Sequence, residues 1–523
     1  MAEKMKISRA IISVSDKTGV VELASQLQEM GVEIISTGGT LKTLKDAGLH
    51  AVSVSTFTGS PEILGGRVKT LHPKVHAGVL FRRDNPDDID QMSQSDYRSI
   101  DLVVVNLYPF QQTLARADAD DAEIVENIDI GGPTLIRAAA KNFTSATVVV
   151  DPSDYPRLVD EMKTGDGTTT LEFRHQCAAK AFALTSTYDT AIAGYFAHGK
   201  EKSKEESSDR VTLELNRHAS LRYGENPHQK ASLYSLSGFG APSLIKAEVL
   251  GGKELSYNNY SDLDAGLDML LDFDQPFACV LKHANPCGAA TADSIAEAYR
   301  LAYESDPLSA FGCIIGLNKP VDMDCAKLLH ETPFVECILA PSYAPEALKM
   351  LKKKKSRRLL ALPGIESGRL KNQVVYKYIQ GAFLMQSADD LQTAEDALTV
   401  VTKRAPTPEE IKSLLFAWKV VKHTKSNAIV LTNGNATVGI GMGQTSRVDS
   451  SFLAVKRAGD RAKGAVMASD AFFPMPDGVE VATEAGVTAI IQPGGSKGDP
   501  QVIEAADKAG VAMVFTGVRH FKH

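Results

Sequence analysis

Four short apolar runs constrain this chain more than any other feature. They are "RAIISVS" (residues 9–15), "GVEIIS" (31–36), "DLVVVNLYPF" (101–110) and "SATVVVDP" (145–152). Runs of this length, bounded by turn residues, read as buried strands. After the first, Val20, Leu23, Ala24 and Leu27 recur at helical spacing, with Ser15 or Asp16 placed to cap the helix. After the second, "TGGT" predicts a turn and "LKTLKDAG" a helix closed by Gly48. Strands alternating with helices predict an α/β domain built on a mostly parallel sheet.

At 523 residues the chain is too long for one core. Residues 199–210, "GKEKSKEESSDR", contain no apolar side chain. That polar stretch predicts a first domain over 1–199, a linker over 200–210 and a second domain over 211–523. The second is itself long enough to prompt a search for duplication. "CVLKHANPCGAA" is echoed by "KVVKHTKSNAIV", "ECILAP" by "TAIIQP", and "LSAFG" by "SDAFF". Two similar α/β subdomains are expected, about 211–365 and 366–523.

A net charge of −7 argues against a general nucleic-acid binder. The run "KKKKSRR" (352–358) reads as a solvated loop. Six cysteines without a C-x-x-C pair fit reduced thiols in the cytoplasm. The charged N-terminal stretch predicts no secretory signal, and no apolar run approaches a membrane span.

Several motifs carry chemistry. "SVSDKTG" and "STGGT" each follow a strand and open a helix, where free amides and the helix dipole favour an anion. Lys17 adds charge, and Ser15, Ser36, Thr37 and Thr40 offer hydroxyls. Either loop alone reads as capping; two at one sheet edge favour a phosphate. The Walker pattern is absent, and "GIGMGQ" (439–444) misses the third dinucleotide glycine. "GGRVKTLHPKVHAG" (65–78) gathers Arg67, Lys69, His72, Lys74 and His76 after two glycines, which suits an anionic ligand. In "IDIGGPTLIRAAAKN", Asp129 precedes a Gly-Gly-Pro turn, and Lys141 follows three alanines where desolvation can lower its pKa.

"LKHANPCG" (281–288) admits three readings. A zinc deaminase pairs H-x-E with P-C-x-x-C, but here Asn285 replaces the glutamate and Ala290 the second cysteine, leaving too few ligands. A Cys287 nucleophile would need a base and a lowered pKa, and nothing in the sequence alone excludes one. A Lys282-His283 pair, base beside cation, asks least of the residues.

Together with "NLYPF", "LRYGENPHQ", "ELSYNN", "GQTSR" and "SDAFFP", these motifs resemble the bifunctional AICAR transformylase/IMP cyclohydrolase family in order and over nearly the whole chain. The resemblance implies a methylglyoxal-synthase-like parallel-sheet domain, then a domain of two cytidine-deaminase-like α/β halves without catalytic zinc. It implies the last two steps of IMP synthesis. A formyl group passes from 10-formyltetrahydrofolate, a co-substrate, to AICAR, and the product FAICAR closes to IMP with loss of water. A homodimer is implied, with no nucleic-acid or membrane partner; a monovalent cation is left open.

Carried onto matching positions, the resemblance places Lys69, Tyr108, Asp129 and Lys141 at the cyclisation site, Lys141 as proton acceptor. Ser15, Asp16, Lys17, Ser36, Thr37, Gly38, Gly39, Arg67, Val68, Thr70, Val105, Asn106 and Ile130 would hold the nucleotide. In the second domain His283 would be the general base and Lys282 the transition-state stabiliser, with Asn427 beside them. Arg222, Tyr223, Gly312, Glu336, Arg447, Phe472 and Arg519 would bind AICAR. Val448, Asp477, Ser496 and Lys497 would lie near the folate.

Overall fold

The computed structural model describes residues 4–199, 211–237, 239–371 and 373–523. The chain divides into two compact units, Met1–Leu213 and Glu214–His523. The stretch expected as a linker, 200–210, lies outside the described residues.

The first unit is built on five parallel strands: β1 (Arg9–Ser13), β2 (Glu33–Ser36), β3 (Val52–Ser53), β4 (Leu102–Val105) and β5 (Thr147–Val149), in the order β3-β2-β1-β4-β5. Ile11, Ile12, Ile35, Val103 and Val104 are wholly buried, as strands covered by helices on both faces require. Helix α1 (Val20–Glu29) buries Val20, Leu23, Ala24 and Leu27, the face its spacing predicts.

Two local expectations are corrected. Neither Ser15 nor Asp16 caps α1: the N-cap is Gly19, in the left-handed region at φ 66°, while the Asp16 carboxylate accepts from the amide and hydroxyl of Thr18. "TGGT" is not a free turn, because α2 (Gly38–Asp46) starts at its first glycine. Thr37, at the N-cap, makes no side-chain cap and instead shares a 2.8 Å hydroxyl hydrogen bond with Ser13. The first amides of α2 therefore have no side-chain cap, and they face the sheet's carboxyl edge.

The second unit holds a twelve-stranded sheet. Its strands are β6 (Glu248–Gly251), β7 (Phe277–Lys282), β8 (Asn285–Thr291), β9 (Cys313–Leu317), β10 (Val335–Ala340), β11 (Arg358–Ala361), β12 (Thr399–Val400), β13 (Ile429–Asn433), β14 (Ala436–Gly441), β15 (Val466–Ser469), β16 (Ala489–Gln492) and β17 (Ala512–Phe515). Their order, β6-β11-β10-β9-β7-β8-β14-β13-β15-β16-β17-β12, reads the same from either end once the halves are matched strand for strand. The halves meet at Ala290 and Ala436, where the Thr437 hydroxyl accepts from the Ala289 amide at 2.9 Å. One sheet face carries a core shared by both halves, from Leu263 and Leu281 to Trp418 and Val514; the other carries two separate cores. Each half also begins with a two-stranded hairpin outside the large sheet, Leu215–Leu221 with Ala231–Leu236 and Val374–Ile379 with Ala382–Ser387.

This symmetry corrects the register of the sequence echoes. Lys282 ends a strand, whereas Lys422 ends helix α5 (Pro408–Lys422), so the two Lys-His pairs are not equivalent. The counterpart of the β7–β8 turn is the β13–β14 turn at Gly434 and Asn435. "LSAFG" precedes β9 while "SDAFF" follows β15, another mismatch. "ECILAP" and "TAIIQP", on β10 and β16, are true counterparts.

Candidate functional site

In the first unit, loops at the carboxyl ends of β1, β2 and β4 enclose a cleft of about 520 Å³, where open parallel sheets bind ligands. Ser15, Lys17, Thr37, Gly38, Gly39, Arg67, Lys69, Thr70, Val105, Asn106, Tyr108, Asp129 and Ile130 all line it. Two ammonium groups meet over the start of α2. Lys69 Nζ lies 3.7 Å from where a Cβ on Gly38 would stand, and Lys17 Nζ 3.7 Å from that of Gly39. The opening amides of α2 and two cations thus share one space, an arrangement for an anion.

Asn106 fixes one wall. Its side-chain oxygen accepts from the amides of Ser15 (2.6 Å) and Asp16 (2.9 Å), and its nitrogen donates to the Asp16 carbonyl (2.9 Å). Asp129 fixes the other. Its carboxylate accepts from the Gly132 amide at 2.8 Å, at the start of α3 (Gly131–Lys141), and its own amide donates to the Tyr188 hydroxyl. Burial pushes the Asp129 carboxyl above the usual range, against the pull of neighbouring amides and Lys69. A Cβ on Gly131 would stand 2.8 Å from the Thr70 hydroxyl, so a side chain there would displace it.

Four expected positions do not line the cleft. Ser36 is buried and donates to the Ile12 carbonyl at 2.7 Å, so its hydroxyl is taken up inside the fold. Asp16 turns its carboxylate onto Thr18, and Val68 pairs with Ile63 in a short bridge. Lys141 stands furthest along its helix from the cleft. It sits exposed at the far end of α3, ten residues beyond Gly131, roughly 15 Å along the helix axis at 1.5 Å per residue. Residues missed by sequence reasoning include Ser13, Glu126 and Gly132; Glu126 forms an exposed ion pair with Arg67.

In the second unit, Lys282 ends β7 and pairs with Asn285, leaving His283 and Ala284 as a two-residue turn. Both turn residues adopt left-handed φ values, 53° and 57°, the twist a tight hairpin demands. His283 is exposed, and Lys282 Nζ donates to the Phe311 carbonyl at 2.9 Å. Gly312 follows, with its amide on the Phe334 carbonyl (2.9 Å). Asn285 accepts from the Lys425 amide at 3.3 Å, which joins this turn to the segment carrying Asn427.

Asn427 accepts from Arg447, the first residue of α6 (Arg447–Ala458), at 2.9 Å. The Arg447 guanidinium also binds Ser469 (2.8 Å) and the wholly buried Asp470. The Asp470 carbonyl accepts from the His520 amide at 2.9 Å, which joins the segments carrying Phe472 and Arg519. Asp470, missed from sequence although it stands inside "SDAFFP", is the hub of this group. Val448 extends α6, and Asp477 opens the next helix, packed on α6 where Gly478 nears Ser451. Ser496 and Lys497 belong to a loop whose Gly498 abuts the Pro474 carbonyl.

Glu336 pairs with Arg358 at 3.0 Å. Arg222 donates to the Tyr223 hydroxyl at 2.9 Å, with the guanidinium 4.7 Å from the ring centroid. Among the described residues no hydrogen bond or ion pair ties them to the His283 turn. Cys287 is 8% exposed, and burial pushes its thiol up to about 12, opposite to what a nucleophile needs. Among the described residues no group of three His, Cys, Asp or Glu side chains is placed to hold a metal ion.

Fold and cleft define a two-unit α/β protein whose first unit carries a cleft lined by two lysines and the start of a helix. A family model described as MGS-like domain matches residues 19–134, and one described as AICARFT/IMPCHase bienzyme matches 139–457. The bifunctional purine biosynthesis protein PurH of Acetivibrio thermocellus is 50% identical over 99% of this chain and 100% of its own. That of Bacillus mycoides is 50% identical over 98% and 99%, and that of Bacillus cereus 49% over the same shares. Among solved structures, ForH is 35% identical over 36% of this chain and 98% of its own, with a TM-score of 0.33. The chain belongs to the bifunctional AICAR transformylase/IMP cyclohydrolase family. It is an enzyme of the last two steps of IMP synthesis, a formyltransferase with a folate-type co-substrate joined to a cyclohydrolase.

Proposed function

We propose that the two units divide the two reactions. In the first, the phosphate of FAICAR sits between Lys17, Lys69 and the start of α2, and its base reaches towards Tyr108 and Asp129. The observation that carries this is the convergence of both ammonium groups on adjacent glycines opposite a carboxyl raised by burial. Ring closure is intramolecular, so holding the carboxamide nitrogen against the formyl carbon supplies much of the rate. Tyr108 moves the proton as water departs. Lys141, the proton acceptor the resemblance implies, stands ten residues beyond Gly131 on α3, and the cyclisation rate of Lys141→Ala with supplied FAICAR tests whether it acts.

In the second unit, 10-formyltetrahydrofolate is the donor. His283 removes the proton from the weakly nucleophilic 5-amino group of AICAR as it attacks, and Lys282 faces the formyl oxygen. Arg447, Asn427, Phe472 and Arg519 form the nucleotide rim, and Val448, Asp477, Ser496 and Lys497 the folate side. Arg222 and Tyr223, carried on the first hairpin, complete the site from a second copy in a homodimer. Exposed Val374, Tyr378, Phe383 and Leu384 on the other hairpin support such an assembly. All six cysteines are free and buried, which suits the reducing cytoplasm. No helix among the described residues is long and apolar enough to cross a membrane.

Purified protein given AICAR and 10-formyltetrahydrofolate should form IMP, and sedimentation should report a dimer. Binding of both ligands without turnover would overturn the reading in favour of a regulatory protein. A fragment of residues 1–199 should close supplied FAICAR without folate; an inactive folded fragment would count against the boundary.

A further inference from the structure

His283 is an awkward residue for its backbone. A two-residue turn with both φ values positive is favoured by glycine and asparagine, yet here it carries histidine and alanine. Side chains at such positions are disfavoured unless neighbours hold them. The neighbour is Asp262, on helix α4 (Tyr257–Leu270), a residue no motif singled out. Its carboxylate accepts from the Ala284 amide at 2.7 Å, beside the His283 amide. Successive amides in left-handed backbone form a small concavity for an anion, and Asp262 fills it from within the fold. The carboxylate is half-buried, and α4 is anchored by a capping box between Ser256 and Asn259 and by buried Leu263 and Leu267. Asn285 closes the far side, donating to the His283 carbonyl at 3.1 Å.

We infer that Asp262 is the positioning residue of formyl transfer: it locks the His283–Ala284 turn so that the imidazole is presented to the amino group of AICAR. This rests on the reading of His283 as the base. A base displaced by about 1 Å loses on the order of a hundredfold in rate, so the turn's conformation sets turnover rather than nucleotide affinity.

The full-length enzyme tests this with four variants. Asp262→Leu should lower kcat of formyl transfer by about ten- to a hundredfold, with KM for AICAR within about twofold and cyclisation of supplied FAICAR unchanged. Asp262→Asn, which keeps an acceptor for the turn amides, should recover most of kcat. Asp262→Leu combined with His283→Ala should be no slower than His283→Ala alone, since both act through one group. Additive losses in the double variant, or a kcat per folded molecule in Asp262→Leu equal to wild type, would overturn the proposal. Full activity in His283→Ala alone would instead sink the reading of the base.

Discussion

Lys69 and Lys17 come from different loops yet stand over neighbouring glycines, each Nζ 3.7 Å from where a side chain on Gly38 or Gly39 would begin. Two cations this close repel each other in the free protein, which an anionic ligand relieves. Lys69→Ala should therefore lower cyclisation by about a hundredfold and leave formyl transfer intact. Steady-state rates with supplied FAICAR, and separately with AICAR plus formyl donor, read the two activities. An equal fall in both would contradict separate sites.

Asp129 trades stability for chemistry. Burial raises its carboxyl pKa, so folding favours the protonated form. The sign follows: its contribution is most favourable below the unfolded value of about 4 and is lost as pH rises through the folded one. Asp129→Asn should raise the melting temperature at neutral pH, the gain shrinking on acidification towards pH 4, while cyclisation falls. A melting temperature lowered at pH 7 would show that the charged form is favoured after all.

His283 and Cys287 lie four positions apart but in opposite environments, one exposed and one buried with a thiol pushed up to about 12. His283→Ala should cost about two to four orders of magnitude in formyl transfer. Cys287→Ala should keep most activity, and iodoacetamide at pH 7 should label Cys287 slowly. A formyl thioester trapped on Cys287 would refute this assignment.

Asp470 is wholly buried against Arg447, whose side chain is 6% exposed. Removing one partner strands the other, so Asp470→Ala should destabilise the second unit by about 3 to 5 kcal/mol. It should also raise KM for AICAR, because Arg447 loses the carboxylate that fixes its guanidinium. Denaturant unfolding and AICAR titration check the two effects, and unchanged values in both would remove Asp470 as the hub.

Much was legible from local sequence. The strands β1, β2, β4 and β5 follow from unbroken apolar runs, buried on both faces, and the buried face of α1 follows from helical spacing. The loops around Lys17, Gly38, Lys69 and Asp129 could be named because anion-binding turns need specific small and basic residues next to strand ends. What local sequence could not supply was distance and register. Lys141 shares a motif with Asp129 but is separated from it by the whole length of a rigid helix. Lys422-His423 mimics Lys282-His283 in letters, yet one pair ends a helix and the other a strand, since a dipeptide carries no record of which hydrogen bonds its neighbours complete. Asp262 stands in no motif, and "SDAFFP" did not single out Asp470, for their roles arise from backbone amides and a guanidinium brought to them from positions 22 and 23 residues away. The sequence by itself determined the strands, the helices and the chemistry on offer; tertiary packing decided which groups meet, because contact depends on where rigid elements end in space.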